Sequence, residues 1–132
     1  MEERTVKYIV ESSKDVDTAA ADLEAAVKRN GFGVLHVYNL TRTLEEKGAP
    51  IEHECRIFEV CNPQKARDVL NTDMSLNMAL PCRISVYEDG GRTRIGLLSP
   101  RAMLSLLSDS PQLSVVAEEV EDAVKRMIEE AQ

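Results

Sequence analysis

Apolar residues alternate with polar ones in five short segments of the chain, and they recur every three or four residues in longer segments between them. Alternation is typical of a strand with one buried face, because successive side chains point to opposite faces of a sheet. The predicted strands span 5–11, 32–40, 51–61, 82–87 and 93–98. In the fourth of them, Cys82, Ile84 and Val86 share the apolar side.

Four helices are predicted from apolar spacing and from the residues at their ends. Asp15 and Asp17 open the first, and Gly31 ends it, because glycine adopts the left-handed conformation at low cost. The others begin at an Asn-Pro or Ser-Pro pair, where the polar side chain accepts from free amides and proline fits the first turn. These pairs are Asn62-Pro63, Ser99-Pro100 and Ser110-Pro111.

Two further predictions concern polar positions. In the last helix, Glu121 is predicted to lie on the face opposite the apolar residues. Segment 41–50 is predicted to be a loop.

The predicted order of elements is β-α-β-β-α-β-β-α-α, which pairs strands through short connections. Asp89-Gly90-Gly91 is a predicted hairpin turn, since glycine supplies the positive φ angles of tight turns. We therefore expect a single α+β domain over residues 1–132, with an antiparallel sheet of about five strands and the helices packed on one face. The other face is then either polar or a dimer interface.

Composition narrows the classes of partner. The chain has a formal net charge of −7 and scattered basic residues, whereas nucleic-acid backbones are bound through clustered lysines and arginines. We therefore expect no nucleic-acid partner. No apolar stretch approaches the ~20 residues of a membrane span, and the N-terminus shows no secretory signal. The chain has three cysteines, which is an odd number. Together, these features predict a cytoplasmic protein whose thiols are reduced.

Cys61 and Cys82 bracket the second predicted helix and are the first candidates for chemistry. Cys61 precedes the helix cap Asn62, so the positive end of the helix dipole is expected to lower the pKa of that thiol. If the third and fourth strands are antiparallel neighbours, the two sulfurs meet at one edge of the sheet. Three kinds of chemistry are possible there: a reversible disulfide, a metal ion bound by both sulfurs, or a nucleophilic cysteine with a second, resolving cysteine. The alternative is that both are buried, inert side chains.

Other polar residues are weaker candidates. His36 and His53 are the two histidines, and His53 and Cys55 would share one strand face as weak candidates for zinc ligands. Arg83 lies on the strand face opposite Cys82, where it either donates to a carboxylate or phosphate or pairs across the sheet with Glu59. No phosphate-binding loop, dinucleotide fingerprint or nucleophile elbow occurs, so we predict no catalytic residues and no cofactor.

Two motifs, Cys-Asn-Pro at 61–63 and Leu-Pro-Cys-Arg at 80–83, resemble in order and spacing the bacterial and archaeal domain of unknown function numbered 302. The resemblance covers nearly the whole chain. It implies a TATA-binding-protein-like fold class and a homodimer, and it implies no activity. Some relatives are joined to redox or metal-handling domains, which adds modest support to the thiol hypothesis.

The function that these features favour is a homodimeric module that binds a small, anionic ligand. Its predicted binding residues are Cys61, Asn62, Cys82, Arg83 and His36. One alternative is a thiol-based redox or metal-sensing protein that uses the two bracketing cysteines. The other is a protein-interaction domain that binds a partner through the uncovered sheet face.

Overall fold

The structure is a computed structural model that describes residues 6–132. Five strands of these residues form one sheet. They are β1 (Lys7–Ser12), β2 (Gly33–Asn39), β3 (Cys55–Cys61), β4 (Cys82–Asp89) and β5 (Arg92–Leu98). Each matches a predicted segment, although β3 begins at Cys55 and not at residue 51. Residue 5, the predicted start of the first strand, lies outside the described residues.

The helices lie between and after these strands. They are α1 (Val16–Arg29), α2 (Leu40–Glu46), α3 (Pro63–Thr72), α4 (Pro100–Leu107) and α5 (Pro111–Ala131), with a 3₁₀ segment at Met74–Ala79. Predicted caps are in place: Asp15 Oδ1 accepts from Thr18 N at 2.8 Å, and Ser99 Oγ accepts from Ala102 N at 3.1 Å. Within residues 6–132, no helix has both the length and the apolar composition needed to cross a bilayer.

The prediction of a loop over 41–50 is wrong, because α2 occupies its first part. Asn39 Oδ1 caps this short helix by accepting from a backbone amide at 3.0 Å. The Thr41 hydroxyl group donates to His53 O and accepts from Cys55 N, each at 2.8 Å, and so ties α2 to the start of β3. His53 therefore lies in the connection before β3. It does not share a strand face with Cys55, as the zinc hypothesis required.

The strands run in the order β1-β5-β4-β3-β2, and each neighbouring pair is antiparallel. Gly90 and Gly91 form the predicted turn between β4 and β5, with φ angles of 61° and 77°. The side that faces the helices carries a row of successive cross-strand partners, Tyr8, Leu97, Ile84 and Phe58. The predicted α+β architecture, with helices on one side of an antiparallel sheet, is confirmed.

The other side of the sheet, which we call the open face, is not covered by any helix of the described chain. Its central row consists of the cross-strand partners Ile9, Gly96, Ser85, Ile57 and Tyr38. Ile9 is 42% exposed and Tyr38 is 40% exposed. A partly apolar strip therefore crosses the sheet on a face that has no intramolecular partner among residues 6–132.

Two hydrophobic clusters lie on the helix-facing side. The larger cluster joins α1 and α5 to the sheet through fully buried side chains such as Leu23, Ile84 and Met127. The smaller cluster joins α3, the 3₁₀ segment, α4 and the first half of α5. Its buried members are Val69, Leu76, Leu104, Leu113 and Ala117. Because α5 contributes to both clusters, it connects the α3–α4 side of the molecule to the sheet.

Glu121 of α5 is buried, contrary to its predicted position opposite the apolar residues. It is 6% exposed, and its Oε1 accepts from the Ser99 hydroxyl group and from Arg101 N at 3.1 Å. Its Oε2 pairs with Lys125 Nζ at 3.0 Å. Helical spacing does not reveal this role, because the Arg101 amide group and the Ser99 hydroxyl group that donate to Glu121 lie at the start of a different helix, α4. The carboxylate thus anchors the start of α4 to α5.

We expect Glu121→Ala to lower the free energy of unfolding by about 2–3 kcal/mol, because it leaves buried donors without their charged acceptor. Urea denaturation measures the loss. Glu118→Ala, at an exposed position of the same helix, is the matched control and should change stability by no more than about 0.5 kcal/mol. Equal losses in the two variants would contradict the anchoring role.

The contribution of Glu121 should also depend on pH. Burial alone raises its pKa, but hydrogen bonds from Ser99, Lys125 and Arg101 outweigh burial and hold the pKa below its ordinary value of 4.5. The folded pKa is thus below the unfolded one, so the ionised group stabilises the fold above that ordinary value and loses this effect as pH falls through the folded pKa. The stability difference between wild type and Glu121→Gln should shrink in that acidic range. A difference that grows there would contradict the assignment.

Candidate ligand-binding site

A cavity of about 250 Å³ lies where the two hydrophobic clusters meet. Its apolar wall residues come from both clusters or from side chains near them, and they include Phe32, Val60, Val69, Leu104, Val116 and Val120. Its polar groups come from one region, the end of β3, the start of α3 and the start of β4. A concave and mostly apolar space with few polar groups is the common form of a small-molecule site.

Asn62 connects β3 to α3 and shapes one wall of this cavity. Its Oδ1 accepts from two backbone amides of the first helical turn at 3.1 and 3.2 Å, and Pro63 occupies that turn, as predicted. Cys61 before the cap and Lys65 after it both line the cavity. Lys65 Nζ pairs with Glu119 of α5 at 3.2 Å, so its positive charge is already compensated.

Cys82 begins β4 as the cross-strand partner of Val60. Because Val60 is fully buried on the helix-facing side, Cys82 shares that side and lines the cavity. Cys61, the next residue after Val60, lines the same cavity. The pairing of β3 with β4 therefore brings both thiols to one space, as their positions in the sequence predicted, and both are free.

The expected fall in the pKa of Cys61 is wrong, because burial raises the pKa of this thiol. Burial also raises the pKa of Cys82 to about 11, with smaller contributions from the charges of Cys61 and Glu121. The Asn62 side chain already occupies amide groups at the start of α3, so the helix end offers the sulfur little stabilisation. Both groups are therefore protonated thiols at neutral pH, whereas nucleophilic attack and metal binding require thiolates.

Arg83 lies on the open-face side of β4, directly opposite Glu59 of β3. The predicted register is confirmed, but the predicted ion pair is absent: within residues 6–132, neither side chain takes part in an ion pair. Glu59 instead accepts a hydrogen bond from the Tyr38 hydroxyl group at 3.4 Å. Both residues line the cavity, but Tyr38 holds the Glu59 carboxylate on the open face, whereas the Arg83 guanidinium group has no ion-pair partner among residues 6–132.

His36 was predicted as a binding residue, but it does not line the cavity. It lies on β2 as the cross-strand partner of Glu59, and its ring makes an edge-to-face contact with Tyr38, with 4.3 Å between the ring centroids. Cys55 lies at the opposite end of β3 from Cys61. In the described part of the chain, no group of three or more His, Cys, Asp or Glu side chains is arranged to hold a metal ion.

Several residues that line the cavity were not predicted from the sequence. Glu59 could have been predicted near Cys61, because it precedes Cys61 by two positions and therefore shares its strand face. For Val116 and Val120, the sequence shows only helical spacing, which identifies them as core residues of α5 and not as cavity residues. Which core residues border an empty space depends on how the two clusters meet, and periodicity does not report that.

The fold and the cavity define a small α+β domain in which an antiparallel sheet and the helices on one side of it border a mostly apolar cavity. The chain matches the family described as "Domain of unknown function DUF302" over residues 8–131. It therefore belongs to the DUF302 family, which confirms the resemblance drawn from the two motifs.

A solved structure supports the same assignment. The chain is similar to the crystal structure of an uncharacterized conserved protein DUF302 from Bacillus stearothermophilus, with 32% sequence identity and a TM-score of 0.92. The similarity covers 98% of this chain and 100% of the other. No functionally curated protein matches the chain significantly.

We expect Cys82 in the folded protein to react with iodoacetamide at least about tenfold more slowly than an ordinary exposed thiol at neutral pH, because its high pKa leaves little thiolate. Timed alkylation followed by peptide mass spectrometry measures the rate. The same protein unfolded in urea is the control, and there Cys82 should react at the ordinary rate. Equal rates for folded and unfolded protein would contradict the burial of a protonated thiol.

Proposed function

We propose that the chain is a small-ligand-binding module and that the cavity is its binding site. One combination carries the proposal: a mostly apolar space of about 250 Å³ whose wall includes Arg83, an arginine without an ion pair among residues 6–132. A guanidinium group offers paired donors that match a carboxylate or phosphate. The proposed ligand is therefore a small molecule with an apolar body and an anionic group.

The size of the cavity limits the ligand further. Ligand pockets usually measure about 300–1,000 Å³, so a space of about 250 Å³ suits a small metabolite better than a dinucleotide or a large cofactor. Its walls come from both hydrophobic clusters. A ligand that fills it would add contacts between the α3–α4 side and the sheet, and such a ligand stabilises the native state.

The two cysteines fit this proposal as wall residues. A protonated thiol is a small and weakly polar group that packs like a hydrophobic side chain. Redox or metal-sensing chemistry, the alternative function, needs thiolates, and the pKa values of Cys61 and Cys82 are both raised. The structure therefore favours the binding function over the thiol-based one.

A thermal-shift screen tests the proposal with small carboxylates that have apolar bodies, both with and without an α-amino group. Saturating ligand should raise the melting temperature by a few degrees, because it binds only the native state. Arg83→Gln should abolish the shift by removing the partner of the anion. Ala66→Phe should abolish it as well, because Ala66 of α3 lines the cavity and the larger ring would fill it.

Matched controls separate the site from general effects of the substitutions. Arg67→Gln changes an exposed arginine of α3, and Ala25→Phe changes an exposed alanine of α1; neither residue lines the cavity. Both variants should keep the full ligand-induced shift. A screen in which no compound stabilises the protein, or shifts that survive in both Arg83→Gln and Ala66→Phe, would overturn the proposal.

We also propose that the module is a homodimer that pairs through the β1–β5 half of the open face. Ile9 and Leu98 of these strands are 42% and 46% exposed, and a second copy would remove their apolar surface from water. A face that pairs with itself around a two-fold axis is the common arrangement of small homo-oligomers. This arrangement leaves Glu59 and Arg83, on β3 and β4, outside the paired half.

Light scattering coupled to size-exclusion chromatography tests the dimer. The wild-type protein should have twice the mass of the chain, and Ile9→Lys should have the mass of one chain, because a buried unpaired charge opposes association. Val115→Lys is the control, since Val115 is 59% exposed but lies on α5. A monomeric wild-type protein, or a dimer that persists in Ile9→Lys, would exclude this interface.

A further inference from the structure

The mouth of the cavity, where it opens to solvent, is bordered by apolar residues. Met78 of the 3₁₀ segment lines the cavity and is 76% exposed. Met103 of α4 also lines the cavity and is half-buried. A residue that borders a cavity and is also exposed lies where that cavity meets the solvent. The mouth is therefore apolar on the side of the 3₁₀ segment and on the side of α4.

The apolar surface continues outward from the mouth along α4. Leu106 and Leu107 follow Met103 by three and four positions, so the three side chains share one face of the helix. Leu106 is 72% exposed and Leu107 is 49% exposed, whereas Leu104 of the same helix is buried in the smaller cluster. We call Met78, Met103, Leu106 and Leu107 the apolar rim. This rim joins the wall of the cavity and extends beyond it.

The sequence around the apolar rim is uncharged, although charged residues are frequent in the chain. Segments 74–82 and 102–108 contain no Asp, Glu, Lys or Arg, whereas 30% of all residues are charged. A peptide or a nucleotide would leave polar groups or charges without partners on an apolar surface, at a cost in free energy. A hydrocarbon chain has no such groups, and flexible methionine side chains adapt well to it. The rim therefore favours an alkyl chain as its occupant.

From this continuity we propose that the ligand is an unbranched alkyl carboxylate, of the fatty-acid class, whose chain is longer than the cavity. The inference rests on the proposed function and narrows its ligand. The carboxylate binds Arg83, the first part of the chain fills the cavity, and the remainder crosses the apolar rim. The cavity measures about 250 Å³, slightly less than the range of about 300–1,000 Å³ that is typical of ligand pockets. A ligand that is only partly enclosed agrees with that size.

Isothermal titration calorimetry on the intact chain tests this assignment with hexanoate, octanoate, decanoate and dodecanoate, each below its critical micelle concentration. One site per chain is expected. Dodecanoate should bind at least about tenfold more tightly than hexanoate and at least about threefold more tightly than octanoate, because each methylene group that leaves water adds up to about fourfold in affinity.

Two failures of this titration are distinguishable. If the two longer chains bind no more tightly than octanoate, the cavity alone holds the ligand, and the inference fails while the proposed function stands. If none of the four binds but a compound from the thermal-shift screen does, the fatty-acid class alone is wrong. If no compound binds in either experiment, both proposals are wrong.

Substitutions separate the two ends of the ligand. Leu106→Asn combined with Leu107→Asn changes the apolar rim at residues that do not line the cavity. This double variant should weaken dodecanoate binding about tenfold and leave hexanoate binding unchanged, because only the longer chain reaches the rim. Arg83→Gln should weaken the binding of all four compounds by the same factor, since they share the carboxylate. Unchanged binding of dodecanoate in either variant would overturn the proposed path of the chain.

Leu35→Asn is the matched control, because Leu35 of β2 is 60% exposed and does not line the cavity. It should bind hexanoate and dodecanoate like the wild type, and an equal loss of dodecanoate affinity in this control would overturn the assignment. Thermal melts establish that each variant is folded at the titration temperature.

Light scattering tests the other possible occupant of the apolar rim, a second copy of the chain. The double variant at Leu106 and Leu107 should have the same mass in solution as the wild type, because the rim binds the ligand and not a partner. A lower mass in this variant would identify the rim as an interface between copies and would overturn the proposal.

Discussion

The antiparallel pairing of β3 with β4 holds the candidate site together. Residues 59–61 lie at the end of one strand and residues 82–83 at the beginning of the other, so the register places them at one edge of the sheet. The chain between them forms α3 and the 3₁₀ segment, which become walls of the cavity. Because side chains alternate between faces, the same register turns Val60 and Cys82 toward the helices, and Glu59 and Arg83 toward the open face.

The cavity itself exists because two hydrophobic clusters meet without filling the space between them. Protein interiors are packed closely, and voids larger than a water molecule are few. Unfilled apolar volume also costs stability. The long helix α5 spans both clusters, and Glu121 anchors α4 to it through Ser99 and Arg101. The walls are thus held by specific contacts, and the space is a built feature of the fold.

Much of the fold could be predicted because its signals are local. Alternating segments located all five strands, and cap residues such as Asn62 and Ser99 located helix starts, since capping depends on neighbours within one turn. The helix α2 escaped prediction because it has seven residues and none is buried, so it shows no apolar periodicity. The site was predictable in part: Cys61, Asn62, Cys82 and Arg83 all line the cavity, while His36 does not.

The amino-acid sequence alone determined the apolar faces, the turns, the helix caps and the family, because each depends on residues close together or on short motifs. Only the tertiary structure shows that the Cys61 thiol is partly buried, that Glu121 is buried, and that Glu59 and Arg83 do not form an ion pair. Those outcomes depend on distance and burial, and electrostatic free energies change steeply with both. Periodicity shows which side of an element is apolar, but it does not show what that side faces or whether the space between two such sides is filled.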